Sequence, residues 1–515
     1  HTQRSYCVAA RVLARSTVMA SGGVPRRGAL SSVFSGTVSP VLLIATVALV
    51  ASPRRLGASS AAGAGTRTTR SSPDPDWHVV GVASLLPAAV CTASTAASNS
   101  TVVNVVHRHG PCSPLQSRGG APSHTELLDH DQARVDSIHR KIAAAASATV
   151  LDQARAAKKG VSLPAQRGIS LGTGNYVVSV GLGTPARDMT VVFDTGSDLS
   201  WVQCTPCSDC YEQKDPLFDP ARSSTYSAVP CAAPECQGLA SRSCSLDKKC
   251  RYEVVYGDQS QTDGDLARDT LTLGTPSDTL PGFVFGCGDR DTGLFGKADG
   301  LVGLGREKVS LSSQAAAKFG ARFSYCLPSS PSGVGYLSLG GPAPGNARFT
   351  AMVTRRDTPS FYYVNLVGVK VGWRTVRISP VVFSAPGTVI DSGTVITRLP
   401  PRAYAALRTA FARNMGRYSY KKAPAVSILD TCYDFTGHTT VRIPSVALVF
   451  AGGTTVALDF SGVLYVAKAS QACLAFAPNG DGTDVGILGN TQQKTLAVVY
   501  DVANQKIGFG ANGCS

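Results

Sequence analysis

Residues 191–204 read VVFDTGSDLSWVQC, and residues 388–395 read TVIDSGTV. In each, an apolar run ends on an aspartate and passes at once to a hydroxyl residue, a glycine and a second hydroxyl residue. Burying an unpaired carboxylate costs several kcal/mol, so a strand that delivers one into its own turn needs a reason. Alone, Asp194-Thr195-Gly196 is ordinary turn material. The recurrence 197 residues later, at Asp391, is not a local echo. A second pair of similar segments, GLVGLG (300–305) and GILGN (486–490), follows the two aspartates at comparable spacing. The pattern reads as one lobe present twice.

Two such lobes related by a pseudo-twofold axis bring the aspartate loops face to face. Gly196 and Gly393 let each backbone turn tightly and approach its mate. Carboxylates that close do not both ionise readily, so Asp194 and Asp391 share a proton and titrate as a unit. One then serves as base towards a bound water while the other, protonated, polarises a carbonyl, and an amide is hydrolysed.

The surrounding sequence is strand-like. NYVVSVGLG, RYEVVYGD, DTLTLG, GFVFGCG, YYVNLVGVKV, SVALVFAGG and LAVVYDV are short apolar or alternating runs punctuated by Gly, Pro and Asp, which predicts a mainly antiparallel all-β protein in two lobes. PPRAYAALRTAFARN (400–414) is the best helix, with Pro in its first turn and Tyr404, Leu407 and Phe411 on one face.

The net charge of +15 suggests an anionic partner until it is placed along the chain. Residues 1–165 carry 17 Lys+Arg against 7 Asp+Glu, and residues 166–515 carry 32 against 27. The basicity thus lies mostly outside the folded part, and nucleic acid is not expected as a main partner. Twelve of the 15 cysteines follow residue 166: Cys204, Cys207, Cys210, Cys231, Cys236, Cys244, Cys250, Cys287, Cys326, Cys432, Cys473 and Cys514. That even number predicts six disulfides and an oxidising compartment. A zinc site at Cys204, Cys207 and Cys210 is disfavoured because no histidine lies near; no metal or cofactor is expected. Seven cysteines fall between 204 and 250, so at least one pairs outside that stretch.

At the N-terminal side, residues 1–75 read as leader and disordered sequence. PVLLIATVALVA (40–51) suits a secretory h-region and is too short to span a bilayer, while the Arg- and Ser-rich, acid-free stretch before Asp74 also fits a plastid transit peptide. Cysteine usage favours secretion, to apoplast or vacuole, over the chloroplast. Residues 123–159 show helical spacing with Leu128, Val135 and Ile138 on one side, a pattern that fits a free solvated helix or a docked one. Asn99 heads the one Asn-x-Ser/Thr site.

Residues 175–515 resemble a pepsin-type aspartic endopeptidase. The cysteine-dense insertion after Trp201, with the phrases WHVVGVASLLP and VVHRHGPCSPLQ, is similar to the nepenthesin-like plant branch and its secreted and chloroplast-nucleoid members. The resemblance implies that Asp194 and Asp391 are the catalytic pair, flanked by Thr195, Gly196, Ser197, Ser392, Gly393 and Thr394. Ser197 and Thr394 are expected to hydrogen-bond the outer carboxylate oxygens. Tyr256 and Gly257 match a flap hairpin over substrate, and Trp201 the tryptophan that supports Tyr256. Residues 76–165 correspond to a pro-segment that covers the cleft, leaving 170–345 and 346–515 as the two lobes. Basic residues of such a segment pair with the dyad at neutral pH, and Lys158 and Lys159 are the candidates. The expected product is a monomeric acid endopeptidase made as a zymogen, with protein or peptide substrates and its own pro-segment as partners. The alternatives are an inactive binding or inhibitor protein on the same fold, or a DNA-associated plastid protease.

Overall fold

The apolar run that ends on Asp194 is the inner strand of a sheet. In the computed structural model Arg187–Asp194 pairs antiparallel with Tyr176–Leu182 on one side and parallel with Gly300–Gly303 on the other, setting Asp194 opposite Gly303. Both faces of the strand are covered, which is why Val191, Val192 and Phe193 run without alternation. The second copy repeats the arrangement: Thr388–Ile390 lies parallel to Gly486–Leu488. The repeated apolar-Gly segments are therefore the parallel neighbours of the two aspartate strands.

The structure describes residues 76–92, 101–115, 122–155, 176–256, 260–384 and 387–514. A long antiparallel platform carries both lobes. Its strands run in the order Tyr176–Leu182, Thr101–His107, Val334–Leu339, Arg322–Cys326, Ala497–Asp501, Lys506–Gly510 and Arg348–Val353. The halves meet where Arg322–Cys326 pairs with Ala497–Asp501, and Cys326–Cys514 ties the C-terminus to this seam. The first lobe adds the long hairpin Gln261–Thr272 and Thr279–Thr292, extended by Cys250–Val255. The second adds two four-stranded sheets and the helix Pro401–Met415, whose Tyr404, Leu407 and Phe411 are buried. The expected all-β, two-lobed architecture is what forms.

The N-terminal segment is woven into this frame at three places. Trp77–Gly81 pairs with Thr440–Pro444 of the second lobe. Thr101–His107 lies inside the platform, between strands of the first lobe. The helix His124–Arg155 packs with Leu128, Val135, Ile138 and Ile142 buried. Each such apolar side chain contributes about 2 kcal/mol when removed from water, enough for docking to win over free solvation.

All six disulfides expected among the twelve cysteines form: Cys204–Cys287, Cys207–Cys210, Cys231–Cys244, Cys236–Cys250, Cys326–Cys514 and Cys432–Cys473. Cys204 is the member of the dense cluster that pairs outside it. A seventh, Cys91–Cys112, staples the N-terminal segment. Cys207 and Cys210 bond to each other, so neither offers a thiolate to a metal. Among the described residues no helix is long and apolar enough to cross a membrane.

Candidate active site

Asp194 and Asp391 are both fully buried and face one another across the seam between the lobes. The loops that carry them are locked together reciprocally. Thr195 N–H donates to Ser392 Oγ at 3.0 Å, and Ser392 N–H donates to Thr195 Oγ1 at 2.9 Å. Gly196 N–H donates to Asp194 Oδ1 at 3.0 Å and Gly393 N–H to Asp391 Oδ1 at 3.1 Å, so each carboxylate is aimed by its own turn. Neither glycine tolerates a side chain. A Cβ on Gly196 would sit 2.7 Å from Asp391 Oδ1, and one on Gly393 would sit 2.5 Å from Asp194 Oδ1. Below the loops, Asn490 Nδ2 donates to the Ser392 carbonyl at 3.0 Å and Gln493 Nε2 to the Asp391 carbonyl at 3.2 Å.

The outer oxygens are treated differently. Thr394 Oγ1 donates to Asp391 Oδ2 at 2.6 Å, whereas Ser197 Oγ and Asp194 Oδ2 are both buried without hydrogen-bond geometry to any described residue. Ser197 still lies near enough to favour the ionised form of Asp194 weakly.

A cation occupies the point on which the carboxylates converge. Arg134, from the His124–Arg155 helix, is fully buried; its Nη2 donates to Asp194 Oδ1 at 2.8 Å and to Asp391 Oδ1 at 2.9 Å, and its Nε to Asp391 Oδ2 at 3.0 Å. Burial alone pushes the guanidinium pKa down, but the two carboxylates outweigh it and hold Arg134 firmly protonated. Burial and the neighbouring Asp391 keep Asp194 above the ordinary carboxylate value against the pull of Arg134. For Asp391 burial again acts upward, yet Arg134, Thr394 and Gly393 together hold it below.

Arg134 takes the place the sequence assigned to Lys158 and Lys159, which lie outside the described residues. Its signal was present on the helix itself: Asp131 and Arg134 fall on the same face as Leu128, Val135 and Ile138, and charge on an apolar face asks for buried partners.

Tyr256 and Trp201 come together as expected, with Trp201 Nε1 donating to Tyr256 Oη at 2.8 Å. Phe295 packs edge-on against both rings. Tyr256 N–H closes the hairpin onto the Ser260 carbonyl at 2.7 Å, and Gly257 in its tip lies outside the described residues. Beside the Arg134 helix a cavity of about 460 Å³ remains, lined by Lys141, Ser197, Asp198, Tyr256, Glu307 and Val309.

Two β lobes facing paired Asp-Thr/Ser-Gly loops across a cleft define the pepsin-type aspartic peptidase class. The chain belongs to the nepenthesin-like plant branch of that family and is a peptidase. Family models for "Xylanase inhibitor N-terminal" and "Xylanase inhibitor C-terminal" domains match residues 176–341 and 361–511. An aspartyl protease family protein of Arabidopsis thaliana is 47% identical over 453 residues, covering 86% of this chain and 94% of that protein. Aspartic proteinase nepenthesin-1 of Nepenthes gracilis is 34% identical over 67% of this chain and 79% of its own. Among solved structures, Basic 7S globulin from soybean shares the fold, with a TM-score of 0.54 and 23% identity over 67% of this chain and 92% of that one.

Proposed function

We propose that the chain is the latent form of an acid endopeptidase in which Asp194 and Asp391 activate a water molecule. The observation that carries this is Arg134 Nη2, which contacts an oxygen of each carboxylate at 2.8 and 2.9 Å. One atom that reaches both marks the point where a water would accept and donate to the pair. With Arg134 gone, like charge and burial force the two carboxylates to share a proton. The ionised member takes a proton from water, the protonated member polarises the scissile carbonyl, and Tyr256, braced by Trp201, closes over the substrate. Residues 76–165 are then a pro-segment that blocks the cleft with a cation and must leave before substrate enters. The seven disulfides support maturation in an oxidising, secretory compartment.

The test is digestion of a denatured protein by the full chain after incubation in acid, with N-terminal sequencing of the product. Wild type should gain activity as a cut appears in the linker that precedes Tyr176, and Asp194→Asn and Asp391→Asn should each fall by at least about a thousandfold. Undiminished cleavage by either variant would remove its aspartate from the mechanism. A wild type that cuts nothing would favour a binding protein on this fold.

A further inference from the structure

The same helix makes a second buried ion pair that has no part in blocking the dyad. Asp131, one turn before Arg134, is fully buried against the second lobe. Its Oδ1 accepts from Val395 N–H at 2.6 Å, and its Oδ2 accepts from Ile396 N–H at 3.1 Å and from Arg398 Nη2 at 3.0 Å. Arg398 is also fully buried. Its Nη1 donates to the Ile396 carbonyl at 2.8 Å, its Nη2 also reaches Gln132 Oε1 at 3.3 Å, and its Nε has no partner among the described residues. Asp131 and Gln132 both belong to the helix, so its departure takes away the acceptors of Val395, Ile396 and Arg398 Nη2 together.

What remains is a set of converging donors shaped by a carboxylate. With the helix gone these donors face the vacated cleft, where water or the carboxylate of a bound peptide would take the place of Asp131. The donors also lie where substrate must pass, since Val395 directly follows Thr394, the hydrogen-bond partner of Asp391. Three residues along a helix advance about 4.5 Å, which an extended peptide covers in one to two residues. Leu128, a further turn back, is buried in an apolar cluster with Val395, Ile396, Leu429 and the Cys432–Cys473 bridge, so the helix lies along this wall side chain by side chain.

We propose that Arg398, with the N–H groups of Val395 and Ile396, forms an anion-accepting subsite that selects a Glu or Asp side chain one or two residues from the scissile bond. Asp131 occupies this subsite in the latent chain. The inference rests on the proposal that the helix fills the substrate cleft.

The experiment uses acid-activated full chain and peptide pairs that differ only as Glu against Gln, placed in turn at each position within three residues of the cleaved bond. Assay at pH 5 keeps a glutamate with pKa of about 4.3 mostly ionised. One position should favour Glu by about tenfold in kcat/KM, chiefly through KM, as expected for a hydrogen-bonded charge. Arg398→Met should bring that ratio within about twofold of unity, and Arg398→Lys should restore part of it. Because the ratio is taken within one enzyme, a change in overall rate cancels. Should Arg398→Met not fold, the Glu and Gln peptides are compared as competitive inhibitors of wild type acting on an uncharged reference peptide, with the same tenfold expectation. Wild type that cuts both peptides equally at every position overturns the subsite and leaves the peptidase proposal standing. Wild type that cuts neither peptide, nor the reference, overturns both.

Discussion

Asp194 and Asp391 come from copies of one motif and sit in equal burial, yet their surroundings differ. Asp391 accepts from Gly393 N–H, from Thr394 Oγ1 and twice from Arg134. Asp194 accepts from Gly196 N–H and once from Arg134, and its outer oxygen has no described partner. Desolvation acts on both alike, so the number of donors decides the sign: Asp391 is held below the ordinary carboxylate range and Asp194 above it. A duplicated sequence thus yields an unequal pair, in which a proton binds more readily at the first member.

The largest test of this inequality removes the cation that enforces it. Taking away one partner of a buried ion pair costs about 3–5 kcal/mol, so Arg134→Met should weaken the hold of the helix by at least about a hundredfold. The full-length variant should cleave a reference peptide at pH 5 without an acid step, while wild type remains silent.

The same contact sets the direction of the pH dependence. Docked Asp391 titrates below its ordinary value of 3.8, so its contribution is complete above that pH and is lost as pH falls through the depressed value. Asp194 is held above that value by burial and by Asp391 against the pull of Arg134, so it does not add to this loss. Asp131, raised by burial against the pull of Arg398, works in the opposite direction, and Lys141 sits on the helix near Asp194 and Asp198 as a further docked cation. Release as pH falls is therefore carried by Asp391 and should set in below about pH 4, read as activity after timed incubations at graded pH.

A smaller effect separates the outer hydroxyls. Thr394→Ala deletes a charge-assisted hydrogen bond and should move the acid limb of the kcat/KM profile up by about one unit, whereas Ser197→Ala should leave it within about 0.3 unit. Equal shifts would mean that the open dyad is symmetric. Smallest of all, Trp201→Phe removes the donor to Tyr256 Oη, worth about 1 kcal/mol, and should lower kcat/KM several-fold with unchanged limbs.

What could be read from the sequence tracks what chemistry fixes locally. The aspartate loops, the Trp201–Tyr256 brace and the Pro401–Met415 helix are written in contiguous strings whose spacing is dictated by turn, strand or helix geometry. Arg134 was hidden because its partners lie 60 and 257 residues away, and a lysine pair beside a linker looked the more natural plug. The clue, two charges on the apolar face of one helix, gains meaning only when something covers that face. The missing Ser197 bond depends on a side-chain rotamer, which a motif does not specify. Disulfide partners were legible only as arithmetic, and counting alone did not single out Cys204 as the cysteine that pairs outside its cluster.

The strand Thr101–His107 gives the proposed latency a mechanical consequence. It lies in the interior of the seven-strand platform, hydrogen-bonded to Val334–Leu339 on one flank and to Tyr176–Leu182 on the other. Severing the N-terminal segment and losing this strand would open a slot bordered by two rows of unmatched backbone donors and acceptors. If the segment is cut away as proposed, activation becomes a ratchet: the released chain would lack a strand of the platform on which its sheet was assembled, and unfolding after release would be harder to reverse.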